Sequence, residues 1–399
     1  MSHPQSKSPD APLPADPAAQ RNYRTRVLQS ISEITAPQWD RLLEASDCTQ
    51  PFLRHRFLAL LENSGCVGGE SGWQPCHLAI EQEGRIVAVS PLYLKSHSWG
   101  EYVFDWAWAE AYQRHGLRYY PKALSAIPFT PVPGPRLPAI DGPAREALAQ
   151  AMIQFTQAQG LSSLHVLFAR DEEAAALQTA GAILRRGVQF HWYNGGWSDF
   201  EQFLASLRQD KRKKIRAERR RVTDAGIHHD RLSGRAITEA DWRFFYDCYA
   251  NTYRAHHSTP YLSEQFFLVL GEQMPEACLM IIARDGARPI AASLLLQDGE
   301  RLYGRYWGAI AQVPMLHFET CYYQPIEYAI EHGLRVIEGG AQGEHKMARG
   351  FEPVATVSAH WLAEPAFSDA VERFLGREGQ AVGAYLDELN ERTPFRTSA

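Results

Sequence analysis

The sequence predicts an α/β protein with a mixed α+β sheet, made of two halves that repeat one order of elements. Three observations predict it. Short β-rich runs alternate with helical periods along most of the chain. Each half opens with a hairpin and then alternates strands and helices. The third observation is a shared spacing. Gly181 stands ten residues before His191-Trp192, and Gly350 stands ten before His360-Trp361. Both halves also enter the preceding strand through a Gly-Leu pair, Gly160-Leu161 and Gly333-Leu334. Matching order and spacing together point to an internal duplication.

The first half begins with a β-hairpin over 77–95, turning at Glu83-Gly84. Residues 128–143 are dense in Pro and Gly and read as loop. A helix over 144–160, a buried strand over 161–168, a helix over 171–181 and a strand over 187–194 follow. In the second half a hairpin over 278–299 turns at Asp285-Gly286. Then come a strand over 301–309, a helix over 315–333, and strands over 334–340 and 353–362. Between the halves, apolar Phe200, Phe203, Leu204, Leu207, Ile215 and Val222 sit at helical spacing, which predicts one helix from an Asp199 cap to Gly226.

The 399 residues suit two domains, and the net charge of −5 leaves no overall polyanion binder. DNA is therefore not an expected partner. Six cysteines occur without a C-x-x-C pair, which suits reduced thiols in the cytoplasm and gives no metal site. No apolar run is long enough for a transmembrane segment. Residues 1–23, rich in Pro, Ala and Ser, read as a disordered tail without a secretory apolar region.

Local charge is more informative. The linking helix carries Arg208, Lys211, Arg212, Lys213, Lys214, Arg216, Arg219, Arg220 and Arg221, offset by Asp210 and Glu218. Like charges one turn apart repel. A phosphate-bearing partner relieves that repulsion, and Lys211, Lys213, Lys214 and Arg216 are the residues assigned to it. A solvated helix face is the competing explanation.

The stretch GGAQGEHKMARGF (339–351) follows the buried strand LRVIE. Ligands of α/β sheets collect beyond the carboxyl ends of strands. Its glycines permit close backbone approach. Glu344, His345, Lys346 and Arg349 bring acid, base and cation to one small volume. At the helix opening MLHFET, His317 is disfavoured as a cation and Glu319 is favoured as an anion. Strand alternation sends Arg305 and Trp307 to one face and Tyr306 to the other.

These residues resemble a known family. HWYN (191–194), DKRKKIRAERRRV (210–222), PYLSEQFF (260–267), YWG (306–308) with LHFETCYYQPIEYAIEHG (316–333), and GAQGEHKMARGFEPVATVSAHWL (340–362) are similar to FemAB-like proteins, described as GNAT-type N-acyltransferases or peptidoglycan biosynthesis/recognition proteins. The resemblance implies two tandem GNAT-like N-acyltransferase domains, 24–190 and 191–380, the second including the basic helix 199–226. A C-terminal tail at 381–399 completes the chain. A GNAT-like fold splays two central parallel strands around the acyl donor. Their counterparts are 301–309 and 334–340, which gathers His317, Glu319, Glu338, Gln342, Glu344, His345 and Lys346 around the wedge.

The expected reaction is acyl or aminoacyl transfer from acyl-CoA or aminoacyl-tRNA, used as a co-substrate with no tightly bound cofactor. The acceptor is an amine, small or part of a cell-wall precursor. Glu344 or Glu338 is the base, and His345 or His317 the relay. Lys346 and Arg349 face the oxyanion or an acceptor carboxylate. Glu319, Arg305, Tyr306, Gln342 and Gly343 complete the substrate contacts. A non-catalytic module that recognises cell-wall precursors or tRNA is the rival reading.

Overall fold

The computed structural model describes residues 22–341 and 343–396. The expected tail at 1–23 therefore lies almost wholly outside the described residues, as does Gln342. Tyr23 already begins β1 (Tyr23–Leu28).

Two hairpins appear as expected, the first turning at Glu83-Gly84 and the second one residue later than expected, at Gly286-Ala287. β2 (Trp73–Pro75) and β3 (His77–Gln82) are followed by β4 (Arg85–Ser90) and β5 (Leu92–Lys95). Gln82 pairs with Arg85, and both turn residues, Glu83 and Gly84, have positive φ. After β6 (Lys122–Ser125), β7 (Ser163–Ala169), β8 (Ile183–Tyr193) and β9 (Ile227–Ser233), the second hairpin joins β10 (Cys278–Asp285) to β11 (Arg288–Gln297). β12 (Arg301–Ala309), β13 (Val336–Ala341) and β14 (Glu352–Leu362) complete the set.

One eleven-stranded sheet runs β2-β5-β6-β7-β14-β8-β13-β12-β11-β10-β9, and β1-β3-β4 forms a smaller sheet. Each half sends its last strand into the other. β8 pairs with β13, β14 pairs with β7, and β8 and β14 pair antiparallel at the centre. In that central pair Gly187 faces Thr356. Each lies six residues beyond its half's marker glycine, Gly181 or Gly350. The spacing seen in the sequence thus pairs with itself across a local two-fold axis.

The exchange changes the expected boundaries. The division at 190/191 falls inside β8, a continuous strand shared by both halves. Residues 381–391 are helix rather than tail, because Pro365–Glu391 packs Val371, Leu375 and Leu389 inward. The linking helix is also broken, into Phe200–Ser206 and Gln209–Asp224. Leu207 is extended and fully buried, and it bridges to Phe395 in the C-terminal segment. Burying it there overrides the helical period.

Candidate functional site

β12 and β13 are parallel but pair at only three positions, the last being Tyr303 with Glu338. Beyond that point they part, for two local reasons. Leu294 faces Tyr306 while Leu295 faces Gly304, so Arg305 is an extra, bulged residue. Bulges bend a strand and re-aim its side chains. Opposite it, Gly339 and Gly340 carry no side chain, and Gly340 has φ +76°. A Cβ on Gly339 would come within 3.1 Å of Lys346 and Phe351.

The gap opens onto both faces of the sheet. On the face covered by the 316–331 helix is a cavity of about 110 Å³, lined by Trp307, His317, Cys321 and Tyr322 among others. The other face, toward the first half, holds one of about 310 Å³ bounded by Tyr102, Phe104 and Pro131. Gly304, Arg305 and Gly339 border both cavities. The bulge also corrects the expected alternation, since Arg305, Tyr306 and Trp307 all reach the smaller cavity.

His317 stands in the first turn of its helix, edge-on to Trp307 and Tyr322 at 5.4 and 5.5 Å between centroids. Burial, then the neighbouring His345, Arg349 and Lys346, lower it to about 4, so it is neutral near pH 7. A π-turn, Glu319–Tyr323, follows directly. Such turns are frequent at functional sites. Here it places Cys321 and Tyr322 on the cavity wall.

After β13 the chain forms a 3₁₀ turn, Glu344–Arg349, with Gly343 as its left-handed cap at φ +114°. Lys346 points inward, and its Nζ donates to the carbonyl of Gly340 at 3.0 Å. Burial lowers it to about 8. His345 is exposed, with Nε2 3.2 Å from the hydroxyl of Tyr322. Partial burial and the charges of Arg349, Lys346 and Lys214 lower its pKa. The basic helix therefore reaches the mouth of the cleft.

Four expected residues are committed elsewhere. Glu344 is exposed and pairs with Arg392 at 3.2 Å, so it is not in the cleft. Arg349 is buried against Glu218 at 2.8 Å, donates to the carbonyl of His345 and stacks on Phe318. Glu319 accepts from Arg219 and Gln324. Arg216 is paired with Glu201 on the surface. Lys213 and Lys214 are exposed, and Lys211 pairs with Asp210 at 3.0 Å. The buried Glu218, which also accepts from Tyr323, ties the basic helix to the 3₁₀ turn. Arg305 and Tyr306 both contact the loop at Phe129.

Glu338 lies on the opposite face from His317, because Ile337 and Gly339 line the His317 cavity while Glu338 does not. It is 4% exposed. Oε1 accepts from Arg301 at 3.2 Å, and Oε2 has no hydrogen-bond partner among the described residues. Burial raises it to about 8 against the opposing pull of Arg301. Its side chain lines a third cavity of about 620 Å³ together with His191, Tyr193, Arg301 and Tyr303. Burial holds His191 neutral, at about 3. This cavity and the 310 Å³ one follow each other along the same two strands, from Tyr303 to Arg305 and from Glu338 to Gly340. Pro133 lines the larger cavity and Pro131 the smaller.

Sequence reading missed His191, Arg301 and Tyr303 as members of the site. His191 was visible as half of the repeated His-Trp pair. That it faces Glu338 follows only from the strand exchange.

A family model described as peptidoglycan biosynthesis/recognition matches residues 30–397. No curated protein sequence matches the chain. Among solved structures, FemX aligns with TM-score 0.52 at 11% identity, covering 85% of this chain and 98% of FemX. A tandem GNAT protein from the clavulanic acid biosynthesis pathway aligns at 0.46 and 13% identity, over 86% and 99% of the two chains. L-PGS from Bacillus licheniformis aligns at 0.46 and 10% identity, over 80% and 95%. The FemX likeness establishes a shared fold.

Proposed function

The chain belongs to the FemAB-like family, and we propose that it transfers an acyl or aminoacyl group from a phosphate-bearing carrier to an amine. One observation carries this reading. Two parallel strands part and leave a gap with a cavity on each face, bordered by Gly304, Arg305 and Gly339. The carrier approaches on the His317 face, beside the basic helix, and the acceptor on the Glu338 face.

The chemistry then divides between the faces. Glu338 takes a proton from the ammonium, and its raised pKa suits a base working near neutral pH. The freed nitrogen attacks the carbonyl carbon in the gap. The ammonium of Lys346, held at the Gly340 carbonyl, meets the oxyanion as it forms. The intermediate collapses, the amide bond is kept, and the carbon–oxygen bond of a tRNA ester or the carbon–sulfur bond of a thioester breaks. Glu338 passes its proton to solvent, and the leaving oxygen or sulfur takes the second proton that the nitrogen loses as the amide forms. Neutral His317 and the His345–Tyr322 pair are placed to carry that proton on the carrier's side. Among the described residues all six cysteines are free, five of them buried, and Cys321 is pushed up by burial, which favours direct attack over a thioester enzyme.

The test presents labelled aminoacyl-tRNA or acyl-CoA together with a panel of amines and reads amide product by mass spectrometry. Product is expected from one donor class, and its loss in both Glu338→Gln and Lys346→Met. Tight ligand retention with no amide from either donor would instead make the protein a recognition module.

A further inference from the structure

The 620 Å³ cavity carries more information than transfer requires. Its mouth bears five carboxylates, Asp47, Asp171, Glu172, Asp298 and Glu300. Two lining cations oppose them, Arg170 and Arg301, and Arg335, outside the lining, pairs with Glu300 at 3.4 Å. Both lining cations are partly spent: Arg170 donates to the carbonyls of Ser46 and Asp47, and Arg301 to Glu338. Asp298 is held in place by the hydroxyls of Tyr303 and Thr49, at 2.6 and 2.9 Å. The mouth is therefore net negative, whereas the basic helix lies on the carrier's side of the sheet.

At the floor sits a second, independent sign of a ligand. Glu338 is more than nine-tenths buried, and its Oε2 has no hydrogen-bond partner among the described residues that line this cavity. A buried carboxylate oxygen without a donor is costly. An ammonium brings up to three N–H donors and a matching charge. A phosphate, a nucleotide or a carboxylate-rich acceptor would meet repulsion at the mouth and no donor at Oε2.

We propose that this cavity is the acceptor site and that it selects compact cationic amines, with the ammonium seated on Glu338 Oε2 and the mouth carboxylates drawing it in. The inference rests on the transfer reading and narrows it. The acceptor is an amine whose positive charge is not outweighed by phosphate or carboxylate groups. Glu338 and the mouth residues then set acceptor specificity, while Arg301 orients the carboxylate.

The experiment needs no donor, so it separates this inference from the transfer reading. The full chain is titrated with 1,4-diaminobutane and, separately, with UDP-N-acetylglucosamine as an anionic probe, by calorimetry. Diaminobutane is expected to bind and the anionic probe not to. Glu338→Gln should weaken the diamine about tenfold or more. The exposed double variant Asp171→Asn with Glu172→Gln should weaken it about threefold and flatten its salt dependence, with folding checked by thermal melting. Binding of the anionic probe instead of the diamine, or diamine affinity indifferent to both variants, overturns the inference even if transfer is observed. Diamine binding without transfer from any donor keeps the site and removes the transfer reading.

Discussion

The two halves hold polar residues at equivalent places and treat them in opposite ways. In each half, one residue of the inner parallel strand faces the histidine delivered by the other half. In the second half Glu338 faces His191, and in the first His165 faces His360. Their parallel neighbours, Tyr303 and Leu124, correspond as well. Around His165 the network is packed shut, although His360 Nε2, Glu101 Oε1 and Asp105 Oδ1 keep no hydrogen-bond partner among the described residues. His165 and His360 are joined at 2.7 Å, Tyr119 and Ser163 meet the other nitrogen of His165, and Lys122 donates to Glu101, Asp105 and Ser98. Trp108 seals it, edge-on to His360 at 5.0 Å. Around Glu338 a cavity remains among the described residues. A shared position does not make a shared role; what covers it decides. In the first half the segment that supplies Glu101, Asp105 and Trp108 fills the place where the second half keeps a cavity.

Removing the cation at each place should give the largest difference between the two halves. Lys122 is fully buried between carboxylates, so Lys122→Met strands their charge and should cost about 3–5 kcal/mol. The side chain of Arg301 is 41% exposed, and Arg301→Met should cost no more than about 1 kcal/mol. Urea melts of both variants measure the difference. Equal losses would mean the two places are equally structural.

Next comes the loss of Glu338 itself. Glu338→Gln should lower the transfer rate by about 10²–10⁴-fold with little change in the melt. Its pH dependence follows from burial, which raises the carboxyl to about 8 with some help from Asp298 and against the lowering pull of Arg301 and Arg305. The base works ionised, so the rate should rise with pH toward 8. Lys346, also at about 8, works protonated, so the rate should fall above it. Lys346→Arg should move the falling limb upward and leave the rising limb in place. A profile flat from pH 6 to 9 would remove both roles.

A smaller effect is expected on the carrier's side. Replacing exposed Lys213, Lys214 and Arg216 with Gln should weaken donor binding about tenfold at low salt and reduce its salt dependence, because contacts to phosphate act through displaced counterions. Acceptor binding on the opposite face should not change. A fall in both would mean that the faces are not independent.

Much of this architecture was legible in the sequence, for identifiable reasons. Turn residues located both hairpins, the first at Glu83-Gly84 as expected and the second one residue on, at Gly286-Ala287, and the repeated His-Trp spacing marked β8 and β14 as counterparts. What it hid depends on contacts between distant segments. Nothing local announces that β8 and β14 change places, or that Leu207 breaks a helix to meet Phe395. The site suffered most from face assignment. Glu338 and His317 come from adjoining elements, yet the sheet divides them, and the bulge at Arg305 upset the alternation used to sort its neighbours.

The weakest expected effect tests the limit of motif reading. Glu344 sits in the most conspicuous stretch of the chain, between Gly343 and His345. A carboxylate there looks like the natural base. It is instead half-exposed and bound to Arg392, a residue that follows the long C-terminal helix. Exposed ion pairs contribute little, so Glu344→Gln should change stability by no more than about 0.5 kcal/mol. It should leave transfer and diamine affinity unchanged, in contrast to Glu338→Gln. A drop in turnover comparable with that of Glu338→Gln would mean that the 3₁₀ turn rotates in the working protein and brings Glu344 into the gap. The division of labour between the two faces would then have to be redrawn around it.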